Sequence, residues 1–336
     1  MTTLRIHGGI PLQGSVRIQG SKNAALPILA ATLLCGEESC IRNCPRIADV
    51  QNMMNLLKSL GCRIGRTGDG WRVDSSHIRG GSMPEDAITG MRSSQCLFGA
   101  LLGCCGEVVM EYPGGCVIGA RPIDIHIRAL EKMGVSFDET DGRLRGSAAH
   151  LHGADIRLQF PSVGATENIL LAAVRADGDT VVTGAAREPE VVSLGQYLVS
   201  CGAMIEGLGS GCIRIRGGAK LHGAEFVIPP DRIVAGTYLF ACVGTGGNVL
   251  LESVPCSQMT GVIRVAEQMG AQCQICSGCY GPGDNGTGNG IYVQGPERPA
   301  AISRLRTDVY PGFPTDLQSM ALAVLTTAKG VSSIEE

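Results

Sequence analysis

Aromatic side chains are scarce in this chain, with 1 Trp, 6 Tyr and 6 Phe among 336 residues. Its core must therefore be filled by Ala, Val, Ile and Leu, and the length suffices for two domains. Positive charge is not in excess either. The formal net charge is −3, which excludes a nucleic-acid binder that works through bulk positive charge. No apolar run reaches the roughly 20 residues of a membrane-spanning helix. The first residues, Met1 to Gly8, contain no long apolar segment of the secretory kind. Cysteine is plentiful by contrast, with 15 residues scattered along the chain. An odd number without a secretory segment leads to the expectation of reduced thiols in a cytoplasm. The 6 histidines, His126 and His152 among them, show no metal spacing and read as packing or surface groups.

Glycine is abundant, and its placement is periodic. An Ala-rich helical pattern ends in Gly and leads into a β-branched strand five times, at Gly36, Gly106, Gly178, Gly247 and Gly330. The intervals are 70, 72, 69 and 83 residues. The long interval contains Ser277 to Gly290, which reads as an inserted hairpin loop. A second helix follows in the first four units and also stops at a glycine before a strand, at Gly61, Gly134, Gly202 and Gly270. Gly just past a helix is the usual left-handed cap. The pattern predicts a repeated α/β unit of strands and two helices. The fifth unit shows one helix, from Thr315 to Ala328, and a strand opening at Val331 to Ile334 before Glu336. Relative to its own repeat the chain reads as truncated, with an open sheet edge expected there.

One loop stands out chemically. The strand-like Glu107 to Met110 runs into a stretch with Pro113, Gly114, Gly115, Cys116, Gly119 and Arg121, and a helical pattern from Pro122 to Met133 follows. A guanidinium five positions from a thiol lowers its pKa and binds phosphate or carboxylate. The functional reading is a mobile lid carrying a reactive cysteine. The alternative is a strand-to-helix turn with a buried cysteine.

The repeat also aligns the starts of the first helices. Fourteen positions before each closing glycine lie Lys22, Arg92, Gly164, Ile233 and Asp316. Helix N-termini favour anions, so Lys22 and Arg92 oppose the dipole and point to an anionic ligand, or else are solvated surface residues. Asp316 fits as a cap or first-turn acid. Two other stretches invite a different chemistry. Cys273, Cys276 and Cys279 have metal-like spacing but no evident fourth ligand. The glycine-rich run from Gly281 to Gly290 is followed by a strand, Ile291 to Val293, where a dinucleotide loop requires a helix.

Ser21-Lys22-Asn23-Ala24-Ala25-Leu26-Pro27, the Pro113 to Pro122 loop, Ala186 to Glu190, Pro230-Asp231-Arg232 and Phe313 to Asp316 together resemble the enolpyruvyl transferase family, in its sugar-nucleotide branch. The cysteine loop distinguishes this branch from the shikimate-pathway relative, and the resemblance runs to Glu336 with little interruption. It implies an α/β fold of two inverse α/β barrel domains, three repeated units in each, with the active site in the cleft between them. One domain is expected over residues 22–230. The other is expected over 1–21 with 231–336, lacking its C-terminal end. The implied reaction transfers enolpyruvyl from phosphoenolpyruvate to the 3′-hydroxyl of UDP-N-acetylglucosamine with release of phosphate, an early step of peptidoglycan synthesis. By resemblance, Cys116 is the acid, Asp316 the carboxylate on the sugar hydroxyl, and Lys22, Asn23 and Arg121 hold phosphoenolpyruvate. Arg92, Arg121, Pro122, Ile123, Asp124, Ile125, Ser162, Val163, Gly164 and Asp316 are the implied sugar-nucleotide contacts. No metal, organic cofactor, nucleic acid or membrane is implied, and a monomer is expected. The family's C-terminal part carries further substrate contacts past residue 336, so the rival expectation is an inactive fragment that binds the UDP-sugar. A thiol-rich metal protein is a third reading, resting on the cysteine triplet alone.

Overall fold

The computed structural model describes residues 3–78, 80, 95–111, 123–140, 143–277 and 289–336. Two compact units divide the chain. One spans Lys22–Pro229, and the other combines the described residues of Met1–Ser21 with Pro230–Glu336. Each has its own apolar core, built mainly from Ala, Leu, Ile, Val and Met.

The first four units of the repeat fold the same way. A first helix leads to a strand, then a second helix leads to an antiparallel hairpin whose later strand pairs with the unit's first strand. Leu97–Cys105, for example, leads to Glu107–Glu111, then Asp124–Glu131, then the hairpin Ser136–Thr140 and Arg143–Ser147. In three of the sheets a fourth strand lies parallel to the unit's first strand, supplied from elsewhere in the chain. Asp155–Arg157 pairs with Asp179–Thr183, and Gln13–Arg17 pairs with Asn248–Glu252. Glu225–Val227 returns across most of the larger unit to pair with Glu38–Arg42. The buried hydroxyl of Tyr197 donates to Ser39 Oγ at 2.9 Å, and that oxygen also accepts from Ala224 N at 3.4 Å. A polar core group thus anchors the strand that closes the unit.

The second helices end alike. Gly61, Gly134, Gly202 and Gly270 take φ values of +103°, +90°, +102° and +98°. The N–H after each glycine reaches back to a carbonyl five residues earlier: Cys62 to Leu57, Val135 to Leu130, Ala203 to Leu198, Ala271 to Ala266. All four residues that follow the glycines are buried apolar groups. This is the Schellman arrangement, and the left-handed angle makes the glycine necessary.

Three boundaries differ from expectation. The left-handed residue after the helix Arg232–Thr245 is Gly246, at φ +63°, and not Gly247. Gly247 instead packs so tightly that a Cβ there would lie 2.3 Å from the Leu12 carbonyl oxygen. The last helix is a 3₁₀ turn, Thr315–Leu317, followed by Gln318–Leu325, which is shorter than the span 315–328. Its strand is Ile334–Glu335, paired with Leu305–Arg306, while Val331 is exposed. The expected hairpin at the inserted loop is present, with Ser277 opposite Asn289. Cys273 and Cys276 lie on the strand Gln272–Ser277 an odd number of positions apart, so they face opposite sides of it. Cys279 lies outside the described residues.

The helices Leu97–Cys105 and Val163–Ala173 approach most closely at Gly99, where a Cβ would fall 2.1 Å from the Asn168 carbonyl oxygen. Gly99→Ala is expected to lower stability by about 1–3 kcal/mol through overpacking. A reduced urea midpoint would show it, and an unchanged midpoint would refute the tight contact.

Candidate active site

The expected site residues that the structure describes cluster at helix N-termini. Lys22 opens the helix Lys22–Ala31, and its Nζ lies 3.5 Å from Asp49 Oδ2 in the first turn of Ala48–Ser59. The two side chains are 46% and 44% exposed, so this pair contributes little to stability and is readily exchanged for another anion. Asp49 supplies a counter-charge for a cation that opposes the helix dipole. The position of Lys22 alone therefore does not require a bound ligand. Asn23 follows it in the same turn.

Ser162 caps the helix Val163–Ala173, its Oγ accepting from Ala165 N at 3.3 Å. The hydroxyl retains its own proton to donate. Val163 and Gly164 form the first turn, whose N–H groups have no partner within the helix. Gly164 is required by its neighbour, because a Cβ there would stand 2.8 Å from His126 Cε1. On the adjoining helix Asp124–Glu131, Asp124 pairs with Arg128 at 3.3 Å. Ile123 is buried in the core and Ile125 packs against it, so a ligand at Ile123 would meet its main chain. Arg92, Cys116, Arg121 and Pro122 lie outside the described residues.

In the other unit, Asp316 is exposed within the turn Thr315–Leu317. The next residue explains its placement. Leu317 is fully buried, with its Cδ1 where a Cβ on Gly236 would be only 2.3 Å away. The missing side chain of Gly236 makes a notch on the helix Arg232–Thr245, and Leu317 fills it. Beside this, Asp231 Oδ1 caps that helix by accepting from Ile233 N at 2.8 Å and Val234 N at 3.1 Å. Arg232, nearly buried, lies with its guanidinium 5.6 Å from the Tyr310 ring centre. The repeat had aligned Ile233 with the start of this helix. The cap sets the start one residue earlier and makes a cation, Arg232, the first helical residue.

Two buried features were not anticipated. Asn168 joins three helices through its side-chain amide. Glu167, Glu188 and Glu190 are all buried in the same unit. Burial, with Glu190 and Glu188 nearby, pushes the Glu167 carboxyl well above its ordinary range, which favours its protonated form. The signal was present: polar residues interrupt an apolar Ala/Leu helix, and a buried polar group is the informative exception. His126 is half-buried, and burial lowers its pKa to about 4 while Asp124 opposes the shift. Among the other described thiols, hydrogen bonding to Cys201 lowers Cys35 to about 7 against the effect of its burial. Burial raises Cys44 and Cys62 to about 12. A separate groove of about 730 Å³ is lined by Glu38, Arg63, Arg66, Arg72 and Asp74. Its charges largely offset each other, and none of its residues is an expected site residue.

A family model described as EPSP synthase (3-phosphoshikimate 1-carboxyvinyltransferase) matches residues 6–336. The chain belongs to this enolpyruvyl transferase family. It is 42% identical over 337 residues to a UDP-N-acetylglucosamine 1-carboxyvinyltransferase of Nitratidesulfovibrio vulgaris, covering all of this chain and 78% of that protein. A protein of Caldanaerobacter subterraneus, named UDP-N-acetylglucosamine 1-carboxyvinyltransferase 2, is 41% identical with the same coverage. Among solved structures, the enolpyruvyl transferase NikO from Streptomyces tendae superposes with a TM-score of 0.82 at 20% identity, over 98% of this chain and 77% of that one. An EPSP synthase from Acinetobacter baumannii gives 0.68 at 20% identity, over 97% and 74%. These establish the inverse α/β barrel fold of repeated units.

The Glu167 shift has a consequence for stability. The folded protein holds this proton more tightly than the unfolded chain, which releases it near the ordinary value of 4.5. Stability from this group is complete below pH 4.5 and declines as pH rises toward the raised folded value. Glu167→Gln removes the titration. Its melting temperature relative to the parent should therefore climb as pH rises above 4.5, and a pH-independent difference would contradict the assignment.

Proposed function

We propose that this chain transfers the enolpyruvyl group of phosphoenolpyruvate to the 3′-hydroxyl of UDP-N-acetylglucosamine and releases phosphate, as a step of peptidoglycan synthesis in a cytoplasm. The observation that carries this reading is identity of 40–43% along the whole chain to proteins named for that activity. The 13 described free cysteines suit a reducing compartment. No described helix is long and apolar enough to cross a membrane.

The chemistry is an addition followed by an elimination. In the addition, a proton is delivered to the methylene carbon of phosphoenolpyruvate. The 3′-oxygen bonds to the neighbouring carbon and gives up its own proton, leaving a tetrahedral adduct that still carries the phosphate. In the elimination, phosphate departs with the electron pair of its C–O bond, and a proton lost from the methyl group restores the double bond. We assign the acid to Cys116 and the base at the sugar hydroxyl to Asp316. Lys22, Asn23 and Arg121 hold phosphoenolpyruvate. Lys22 exchanges its contact with Asp49 for the incoming anion, and the exposure of that pair makes the exchange inexpensive. The sugar nucleotide meets Arg92, residues 121–125, Asp316 and the first turn of Val163–Ala173. There, Ser162 and the N–H groups of Val163 and Gly164 suit an anionic diphosphate. All these groups act without a metal or organic cofactor.

Phosphate release measured with and without UDP-N-acetylglucosamine tests the reading. Release is expected to require the sugar nucleotide and to fall by about 10²–10⁴-fold in Cys116→Ala. Release independent of the sugar would overturn the assignment. Tight sugar-nucleotide binding with no turnover would replace it with a binding role.

A further inference from the structure

We propose that Asn168 is a positioning residue for the sugar-nucleotide subsite, fixing the first turn of the helix Val163–Ala173 against His126 and against the start of Leu97–Cys105. This rests on the reading of Ser162, Val163 and Gly164 as sugar-nucleotide contacts.

Asn168 lies in an Ala- and Leu-rich helix and is 1% exposed. An amide in that environment is retained only if its hydrogen-bonding capacity is met. Here it is met from three helices. Asn168 Oδ1 accepts from Gly99 N at 2.7 Å. Its Nδ2 donates to Gln95 O at 3.0 Å and to Gly164 O at 3.0 Å, and lies 3.1 Å from His126 Nδ1. One planar group therefore links the entry to Leu97–Cys105, the first turn of its own helix and the imidazole of Asp124–Glu131. It shares two hydrogens among three acceptors, so each acceptor constrains its orientation.

The bond to His126 also sets the state of the ring. An amide nitrogen donates, so Nδ1 must accept, and the single ring proton resides on Nε2. Burial favours the same neutral form, opposed by Asp124 on the same helix. The Cε1–Nε2 edge rests against Gly164, whose hypothetical Cβ would be 2.8 Å from Cε1 and 3.3 Å from Nε2. The result is a neutral N–H donor held beside a helix N-terminus whose own N–H groups are proposed to meet a diphosphate. Gly99 belongs to the same assembly. It has no room for a Cβ against the Asn168 carbonyl, so that helix seats its N–H directly on the amide oxygen. Asn168 does not touch the substrate. It acts through Gly164 and His126.

Asn168→Asp keeps the size of the side chain and removes both donor hydrogens. In the full chain this variant should raise the calorimetric Kd and the KM for UDP-N-acetylglucosamine by roughly tenfold, with the KM for phosphoenolpyruvate held within about twofold, as expected for a displaced contact. A folded variant with unchanged Kd and KM for the sugar nucleotide would overturn the proposal. So would an equal rise in both KM values, the mark of general loosening. The parent protein offers a second measurement that survives any misfolding of the variant. Nitrogen NMR should show His126 neutral and protonated at Nε2, with its signals moving on addition of UDP-N-acetylglucosamine and not of phosphoenolpyruvate. Signals unmoved at saturating UDP-N-acetylglucosamine would sink the proposal while leaving the proposed function intact. If the parent binds no UDP-N-acetylglucosamine at all, both fall together.

Discussion

How the helices end governs everything else in this molecule. Each second helix stops at a glycine with positive φ, and the residue after it turns back to cap a carbonyl and bury a small apolar side chain. The next strand begins immediately. A side chain at that glycine would strain the left-handed turn. Letting the helix run one residue further would shift the strand by one position and reverse its faces. The same helix end occurs after Leu60, Met133, Cys201 and Met269, so each hairpin enters its sheet in the same phase. A sheet of three or four strands can be copied along the chain only because this one joint is copied.

A common joint at one end leaves the opposite ends of the helices free to diverge. The first helices begin with a cation beside Asp49 at Lys22, a hydroxyl cap at Ser162, and a carboxylate cap followed by Arg232. The N–H groups of a helix's first turn lack a carbonyl partner within the helix, so any of these arrangements suits them, and they can instead donate to a ligand oxygen. A repeated fold with varied helix starts can therefore present several polar groups while its core stays uniform. The core is mostly aliphatic, and small residues allow the close approach. Gly99 and Gly236 act by absence: one admits the Asn168 backbone and the other admits Leu317.

The repeat and its glycine stops were legible in the sequence because both are local. A left-handed residue is encoded by the residue itself, and helical periodicity by its near neighbours. The errors have physical causes. Gly246 and Gly247 adjoin, and only the packing of Gly247 against Leu12 shows which is the cap. The start at Arg232 depends on Asp231 accepting two N–H groups. Thr315 follows Pro314 and opens a 3₁₀ turn, where the periodicity alone continues an α-helix. The roles of Lys22, Asp316 and Cys116 came from resemblance, because a residue type does not carry its partner with it. Asp49 is the example, 27 positions from Lys22 and invisible to any local pattern. Asn168 and Glu167 were passed over because their environment is made by helices distant in sequence.

Those two residues share a logic that bears on the site. Both sit within five positions of Gly164, close to the turn proposed for an anionic substrate. Glu188 and Glu190 lie at the start of the helix Pro189–Ser200, where the dipole favours acidic side chains. Glu167 is buried near them, and burial first, then Glu190 and Glu188, raises its carboxyl well above the ordinary range. Asn168 solves the adjoining problem without charge, binding N–H, carbonyl and imidazole groups through dipoles alone. An ionised residue in its place would hold the same partners more strongly, but its field would reach the ligand turn, because screening is weak in a buried interior. A negative charge would repel the diphosphate proposed to bind there, and a positive one would compete with Lys22 for the phosphoenolpyruvate proposed to meet it. A neutral clamp at Asn168 adds no net charge beside the proposed ligand turn, so the helix N-terminus there keeps its own attraction for an anion.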